Sequence, residues 1–329
     1  MSASARPRRQ LASRDAHRKQ RGAALLTAMI IVVMVATLAT SMVWQQWKAI
    51  QVEEAERSRT QSALILTGAL DWARLILRED ARTRGPDHLN EPWAVPLAEA
   101  RLSTFLAADS NNTDGAPEAF LSGQITDAQS RYNLQNLNDE EKVPVAEQRT
   151  LLKLFDLIGV APEIGTQLIT NLRAARVLQG TNANSNAQRP LMPESIHELR
   201  WFGMDAETLK RIEPYVILLP VRTGVNINTA SREVIAASID ELDLAGAERL
   251  VQARQQTPLK TLDDAKKLLP ESTVLDPSRV DIASKFFEVR GKLRLVDRVL
   301  EERSLVERRG LEIVPLQRER VSSREDGIP

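Results

Sequence analysis

The chain has 329 residues and 44 basic against 44 acidic side chains, so its formal net charge is zero. It contains no cysteine, which excludes disulfide bonds, zinc ribbons, iron–sulfur clusters and thiol nucleophiles. It has only three histidines, far apart, and lacks both a glycine-rich phosphate loop and a G-x-S-x-G motif, so we expect no enzyme of a standard class.

The charge is unevenly distributed along the chain. Residues 1–22 hold seven basic residues and one acidic residue, a local charge of +6. The rest of the chain has 37 basic and 43 acidic residues, or −6. Such asymmetry indicates two parts with different roles.

An uncharged segment follows the basic residues, from Ala23 to Trp47. As a helix, its 25 residues would extend roughly 37 Å, enough to cross the ~30 Å hydrocarbon layer of a membrane. The basic residues before it predict a cytoplasmic N-terminus, and Trp44 and Trp47 are typical of a membrane interface. A cleaved signal peptide ending near Leu38–Ser41 is the alternative, but the helical pattern continues without a break.

The helical pattern extends to about residue 82. Apolar residues at positions 66, 69, 70, 73, 76 and 77 recur at helical spacing and predict a face that packs on a globular body.

A basic leader that ends in Gly22, followed by a long apolar helix, resembles the prepilins, which include type IV pilins and the pseudopilins of type II secretion. The resemblance implies cleavage between Gly22 and Ala23 by a membrane peptidase, with methylation of Ala23. It also assigns Leu25, Leu26 and Thr27 to assembly. Most members have glutamate at the fifth mature position, where this chain has Thr27. In lacking the glutamate the chain resembles the K subtype, the large minor pseudopilins.

The physical sense of Thr27 follows from the cost of a carboxylate in lipid, which is high without a positive partner. In these filaments the partner is taken to be a neighbour's N-terminal amine. A subunit at the filament tip has no subunit above it whose amine it must recruit, so threonine avoids an unpaired charge.

The first part of the body predicts loops and a strand. We expect loops at 84–96 and 108–117, a short helix at 97–107 and a strand at 119–127. The segment from Gly123 to Leu137 resembles the K-subtype pattern of a strand, an Asp-led turn and an Asn-Leu-x-Asn-Leu return. Its motif residues are Asp127, Asn133 and Asn136.

The remainder predicts two groups of helices and then a set of strands. Helices are expected at 145–159, 162–178, 195–199 and 205–214, a second helical group at 229–269, and two or three antiparallel strands within 284–320. The fold class is therefore α+β, with a long N-terminal helix packed on a small antiparallel sheet and a large α-helical domain inserted. The expected segments are the leader 1–22, the transmembrane part 23–47, the helix and first α/β part 48–137, the insert 138–219, the second helices and final strands 220–320, and a flexible tail 321–329.

One motif competes with this interpretation. Asn226, Asn228 and Thr229 resemble the entry to helix-hairpin-helix domains of DNA-uptake proteins. Residues 240–246 nevertheless carry three carboxylates and one glycine, which is unfavourable for phosphate, and the body is acidic. We expect instead that the two asparagines bond backbone at a strand-to-helix corner with Thr229 near a helix cap, a segment that the K subtype shares.

We expect that the protein requires no cofactor. Calcium is the candidate metal ligand, and the sequence does not assign the residues that would bind it. Loop aspartates could supply oxygen ligands, but DSNNTDG lacks the EF-hand glycine spacing. The aspartates considered are Asp109, Asp114, Asp127 and Asp139.

The resemblance implies a minor pseudopilin at the tip of the type II pseudopilus, which initiates assembly and caps the filament for export across the outer membrane. The expected partners are the I and J subtypes, other pseudopilins, the prepilin peptidase, the inner membrane, and the secreted substrate or outer-membrane secretin, without nucleic acid. The chain would cross the inner membrane once, with its bulk in the periplasm. The alternatives are a type IV minor pilin, a membrane-anchored periplasmic DNA-uptake protein, and an anchored protein outside any filament.

Overall fold

The computed structural model describes residues 15–83, 85–102, 119–138, 144–180, 191–295 and 298–324. The chain divides into two compact units, 1–63 and 64–329. Helix α1, Asp15–Thr83, contributes residues to both. Within the first unit it contains an apolar stretch, starting at Ala23, that is long enough to cross a membrane.

The second unit contains a five-stranded antiparallel sheet. The C-terminal region supplies three of its strands in meander order, as its β-branched residues and glycines indicate. In their order across the sheet, the five strands are β1 Leu97–Arg101, β2 Ala119–Asp127, β7 Phe286–Leu295, β8 Arg298–Arg309 and β9 Glu312–Arg324.

The structure differs from the sequence-based expectation at both edges of this sheet. Residues 97–101 form β1 rather than the start of a helix, because they pair with β2, from Leu97 opposite Gly123 to Arg101 opposite Phe120. Tertiary pairing thus overrides the helical propensity of Leu-Ala-Glu-Ala-Arg. At the other edge β9 continues to Arg324, four residues into the expected tail, because β8 pairs with it along its whole length.

The second part of α1, from Leu64, packs on one face of the sheet. Leu66, Leu70, Ala73 and Leu77 are buried there, at the predicted helical spacing. Their neighbours in the cores beneath the helix come from four strands, β2, β7, β8 and β9, and include Ile125, Phe287, Leu293, Val306 and Ile313. The predicted helix-on-sheet arrangement is confirmed.

The remaining elements form a helical body between β2 and β7. Four of its helices begin at a side-chain cap, at Asp205, Ser231, Asp243 and Thr261. The helices are α2 Val145–Leu157, α3 Pro162–Gly180, α4 Ala206–Ile212, α5 Arg232–Ser238, α6 Leu244–Gln256 and α7 Leu262–Lys266. The 3₁₀ turns of the second unit are Pro92–Ala94, Ala128–Ser130, Leu134–Leu137 and Ile196–Phe202.

Two short parallel bridges hold distant segments of this body together. Strand β3, Tyr132–Asn133, pairs with β4, Val216–Ile217. Strand β5, Val225–Asn226, pairs with β6, Val280–Asp281. The two predicted helical groups share one core, with buried residues from Tyr132 to Val280.

Candidate functional site

Six polar residues meet where the helical body joins the sheet, and we call this group the polar junction. Its members come from the loop after α1, the end of β2, the β5 corner, the residues just before β7, and β8. They are Asp87, Asp127, Asn226, Thr229, Ser284 and Arg308.

Asp127, the last residue of β2, lies at the centre of the junction. Its Oδ2 atom accepts hydrogen bonds from Asn226 Nδ2 at 2.9 Å, Thr229 Oγ1 at 2.6 Å and Ser284 Oγ at 2.7 Å. Its Oδ1 atom accepts from the backbone N–H of Gln129 at 2.8 Å and so caps the following 3₁₀ turn. Burial raises the pKa of Asp127 to about 6, although the Ser284 and Thr229 hydroxyls favour the ionised form.

Asn226 links this carboxylate to two other segments. Its amide nitrogen lies 3.1 Å from the Asp87 carbonyl oxygen as well as near Asp127, and its Oδ1 atom accepts from the Asn228 N–H at 2.9 Å. The side chain is fully buried. Asn226 therefore fixes the β5 corner against β2 and against the loop after α1.

Arg308 of β8 connects the junction to the end of α1. It donates to Asp87 Oδ2 at 2.5 Å and to Asp80 Oδ2 at 2.8 Å, and its guanidinium lies 4.9 Å from the Phe287 ring centroid. Asp87 also accepts from the Ser284 N–H at 2.7 Å. Burial raises the pKa of Asp87, opposed by Arg308.

A small acidic cluster adjoins this arginine. Carboxylate oxygens of Asp80, Asp87 and Glu91 lie within 4.8 Å of one another. Burial, and then the nearby charge of Glu91, raise the pKa of Asp80 to about 6. Arg308 binds two of the three carboxylates, so the cluster is already partly neutralised.

The two asparagines of the first motif, Asn133 and Asn136, hold the segment at 219–223. Asn133 accepts from the Leu219 N–H at 3.1 Å and donates to the Val221 carbonyl at 2.8 Å. Asn136 accepts from the Thr223 N–H at 3.1 Å and donates to the Thr223 carbonyl at 2.9 Å. Each side-chain amide thus makes the hydrogen bonds that a neighbouring strand would otherwise make to the backbone of this segment.

Asn228 pairs in the same way with both backbone groups of Leu259, at 3.0 and 2.9 Å. Thr229 binds Asp127 instead of capping a helix, and the cap of α5 is Ser231. Because the three polar side chains of the Asn226–Thr229 segment are buried and bonded within the protein, they are not presented to a phosphate backbone.

Arg254 of α6 belongs to the same corner and was not singled out from the sequence. Its guanidinium donates to the carbonyls of Ile227 and, at 2.6 Å, Ala230. Burial lowers its pKa to about 10. Its only signal in the sequence is position: an arginine four residues after Leu250 on the helix face that carries buried residues.

The residues assigned to processing and assembly lie in the first unit. Gly22 and Ala23 are both within α1, and the Leu25 and Leu26 side chains are exposed. The Thr27 hydroxyl donates to the Ala23 carbonyl at 2.7 Å and lies 3.1 Å from the Ala24 carbonyl. Its hydrogen-bonding need is therefore met within its own helix.

Of the four aspartates considered for calcium, the described residues include Asp127. Asp127 is saturated by four protein donors, which leaves its oxygens little capacity for a metal ion. Asp109, Asp114 and Asp139 lie outside the described residues, and calcium binding there stays a prediction. The polar junction itself is a set of mutually satisfied groups, which suits joining two parts of a fold rather than reacting with a substrate.

Two family models, both of the type II secretion system protein K, match the body. One matches residues 130–221 and the other residues 225–283. These ranges include Asn133, Asn136 and the Asn226–Thr229 segment.

Curated proteins agree with these matches. The protein K of Pseudomonas aeruginosa is 28% identical over 302 residues, 85% of this chain and 86% of that protein. The Pectobacterium carotovorum protein is 28% identical over 92% of this chain and 96% of that protein. The Klebsiella pneumoniae protein is 29% identical over 73% of this chain and 76% of that protein.

A solved structure has the same fold. A chain of the GspK-GspI-GspJ complex from enterotoxigenic Escherichia coli matches with a TM-score of 0.62 at 20% sequence identity, covering 82% of this chain and 99% of that one. The helix-on-sheet unit, the helical body and these matches agree: the chain is similar to the protein K of the type II secretion system over most of its length.

Proposed function

We propose that this chain is the tip subunit of a type II pseudopilus, where it initiates assembly and caps the filament. The observation that carries the proposal is Thr27. Its hydroxyl bonds to the carbonyl one turn earlier in α1, so this position requires no group from another subunit. A glutamate there would require a cation in the membrane.

The partners proposed are the minor pseudopilins of the I and J subtypes. The E. coli protein of similar fold is found in a complex with GspI and GspJ. The apolar side chains of α1 between Leu25 and Val43 are exposed. They suit packing against other apolar helices, because helices in lipid associate through van der Waals contact between their side chains.

The proposed location is the inner membrane, with the N-terminus in the cytoplasm and the body in the periplasm. Seven basic residues before Ala23 support this orientation by the positive-inside rule. Cleavage between Gly22 and Ala23 would then release the helix for assembly. Contacts with other pseudopilins, the secretin or a secreted substrate are part of the same proposal.

Co-purification tests the proposal directly. The full chain, expressed with the prepilin peptidase and the I and J subunits and extracted from membranes, should be recovered as a stable complex with both. Recovery of this chain alone, under conditions where I and J still bind each other, would contradict the tip role.

Two variants at one position make the test specific. Thr27→Val removes only the hydroxyl, so we expect unchanged recovery of the complex. Thr27→Glu places a carboxylate in lipid without an amine above it, so we expect reduced recovery. Increased recovery with Thr27→Glu would indicate that this subunit lies below another one.

The DNA-uptake alternative has a separate test. The buried, fully bonded side chains of Asn226, Asn228 and Thr229 do not favour it. A salt-dependent shift of duplex DNA by the full chain at moderate ionic strength would reverse this preference.

A further inference from the structure

A cavity of about 270 Å³ lies between the second part of α1 and the sheet. Its walls are mostly apolar and come from α1, from the loop at 92–97 and from the strands. Trp72 and Val95 also line it and are about half exposed or more, so the cavity reaches solvent. The apolar wall residues include Leu66, Leu70, Ile76, Trp93, Pro96 and Ile125.

The cavity arises from a row of residues across the sheet. Gly123 of β2 pairs with Gly291 of β7, and Gly291 pairs with Glu302 of β8. Paired residues point to the same face of a sheet, so two positions beside Glu302 carry no side chain on the face covered by α1. The missing side chains leave space under the helix, closed at one end by Leu66, whose Cδ2 lies 3.3 Å from where a Gly291 Cβ would be.

Glu302 supplies the one carboxylate that lines this space among the residues that the structure describes. The residue is 3% exposed, and its Oε2 atom accepts from Arg320 Nε at 2.5 Å. Its Oε1 atom is buried and has no hydrogen-bond partner within the described part of the chain. A buried acceptor without a donor is unfavourable, so the site gains from a molecule that brings one.

We propose that this cavity binds a short aliphatic primary amine. The hydrocarbon chain occupies the apolar space, and the ammonium group donates to Glu302 Oε1. A charged donor makes a stronger hydrogen bond to a carboxylate than a neutral one. A carboxylic acid of the same length is repelled, and an alcohol gains only the neutral hydrogen bond.

The volume sets the size of the ligand. Pockets for drug-sized molecules begin at about 300 Å³, so 270 Å³ suits a chain of about six carbons. A ligand of that size reaches a dissociation constant on the order of 1 mM. Bound there, it contacts both α1 and the sheet and stabilises their packing by mass action.

Titration of the full chain in detergent with hexylamine, hexanol and hexanoate, followed by calorimetry, tests the site. We expect hexylamine to bind at least tenfold more tightly than hexanol, and hexanoate not to bind. Equal affinities for the three compounds would show partitioning without Glu302 and would overturn the proposal.

Two variants with matched controls locate the binding. Glu302→Gln should weaken hexylamine at least tenfold and hexanol less than twofold, whereas Glu301→Gln, on the opposite face of the same strand, should change neither. Ala69→Phe fills the cavity and should abolish binding, whereas Leu64→Phe at an exposed position of α1 should not. Thermal melting identifies any variant that does not fold. Wild-type affinity for hexylamine in either folded test variant would exclude this site.

Discussion

Single buried amides and carboxylates determine how the irregular segments of this protein meet. Four asparagines bind backbone groups of segments distant in sequence: Asn133, Asn136, Asn226 and Asn228. Their amides supply hydrogen bonds that the short strands cannot supply by pairing. Such residues tolerate little change, because a small alteration leaves several buried groups unpaired at once.

Asn226→Asp tests this at the polar junction. The substitution keeps the shape but places a second carboxylate 2.9 Å from Asp127 Oδ2 in a fully buried position. We expect a loss of about 3–5 kcal/mol in the free energy of unfolding, measured by urea denaturation in detergent. Asn90→Asp, at an exposed position, is the control and should change stability by less than about 0.5 kcal/mol.

Arg254→Met tests the buried arginine of α6. Methionine retains the apolar stem but removes both donors, so the Ile227 and Ala230 carbonyls lose their partner. We expect a loss of about 3 kcal/mol in the free energy of unfolding by urea denaturation. Arg249→Met, exposed on the same helix, should be close to neutral, and equal effects of the two substitutions would refute the assigned role.

These residues also show how far sequence reasoning reaches. The motif asparagines and Asp127 were identifiable because they belong to segments that resemble a known family. Arg254, Ser284 and Arg308 were not, since their partners lie in other segments and no local pattern marks them. Glu302 likewise is one acidic residue among several on a charged strand, and only the pairing with two glycines distinguishes it.

At the scale of elements, the packing of α1 on the sheet was the most predictable feature. The helical spacing of Leu66, Leu70, Ala73 and Leu77 is enough to define a buried face, because these side chains fall on one side of any regular helix. The strand at 97–101 was not predictable, because its residues favour a helix and only β2 makes them extended.

Leu77→Ala measures what this face contributes. Leu77 is fully buried in the core beneath α1, so truncation removes apolar contacts and leaves a cavity. We expect a loss of about 3 kcal/mol, within the usual range for buried leucine, measured by urea denaturation. Leu75→Ala, 48% exposed on the same helix, should cost less than about 1 kcal/mol; a cost as large as that of Leu77→Ala would mean that the helix packs differently.

Strand β7 carries a pH-dependent contact with the turn after β2. Glu288 accepts from Arg131 and Arg290, both at 2.7 Å; although burial alone would raise its pKa, the two arginines outweigh burial and lower the pKa to about 2. A lowered pKa in the folded state means that the stabilisation is present above the unfolded value of about 4.5 and is lost as the pH falls toward 2.

We therefore expect Glu288→Gln to reduce stability by about 2 kcal/mol at pH 7 and to converge with the wild-type protein near pH 2. Urea denaturation at several pH values measures the difference between the two proteins. Glu99→Gln, which removes a partly exposed partner of Arg294, should give a small difference at every pH. A Glu288→Gln difference that stays constant from pH 7 to 2 would show that the ion pair is not the cause.

At the scale of the whole molecule, the expected cleavage site separates a basic part of the chain from an acidic part, whose charges cancel in the full chain. Residues 1–22 carry +6, and the chain from Ala23 onward carries −6. The basic residues would thus serve orientation in the membrane, and the acidic remainder is the part that would enter the filament.

Gly22→Leu tests this division. A bulky residue before the cleaved bond should block the prepilin peptidase, so mass spectrometry of the membrane fraction should detect the full-length precursor instead of a chain that begins at Ala23. Ala23→Ser, on the other side of the bond, should still be cleaved. Normal processing of Gly22→Leu would contradict the assignment of residues 1–22 as a prepilin leader.

The sheet order has a consequence for the sequence of events in folding. Strand β2 pairs with β7, and Thr126 donates to the Glu288 carbonyl, 162 residues later in the chain. The core of the helical body is complete at Val280, before any of the last three strands has emerged. Pairing across such a long separation in sequence is slow, so we expect the body to fold first and the sheet to close last. Until then the apolar face of α1 from Leu66 to Leu77 is uncovered, and this interval is when the chain is most exposed to proteolysis and aggregation.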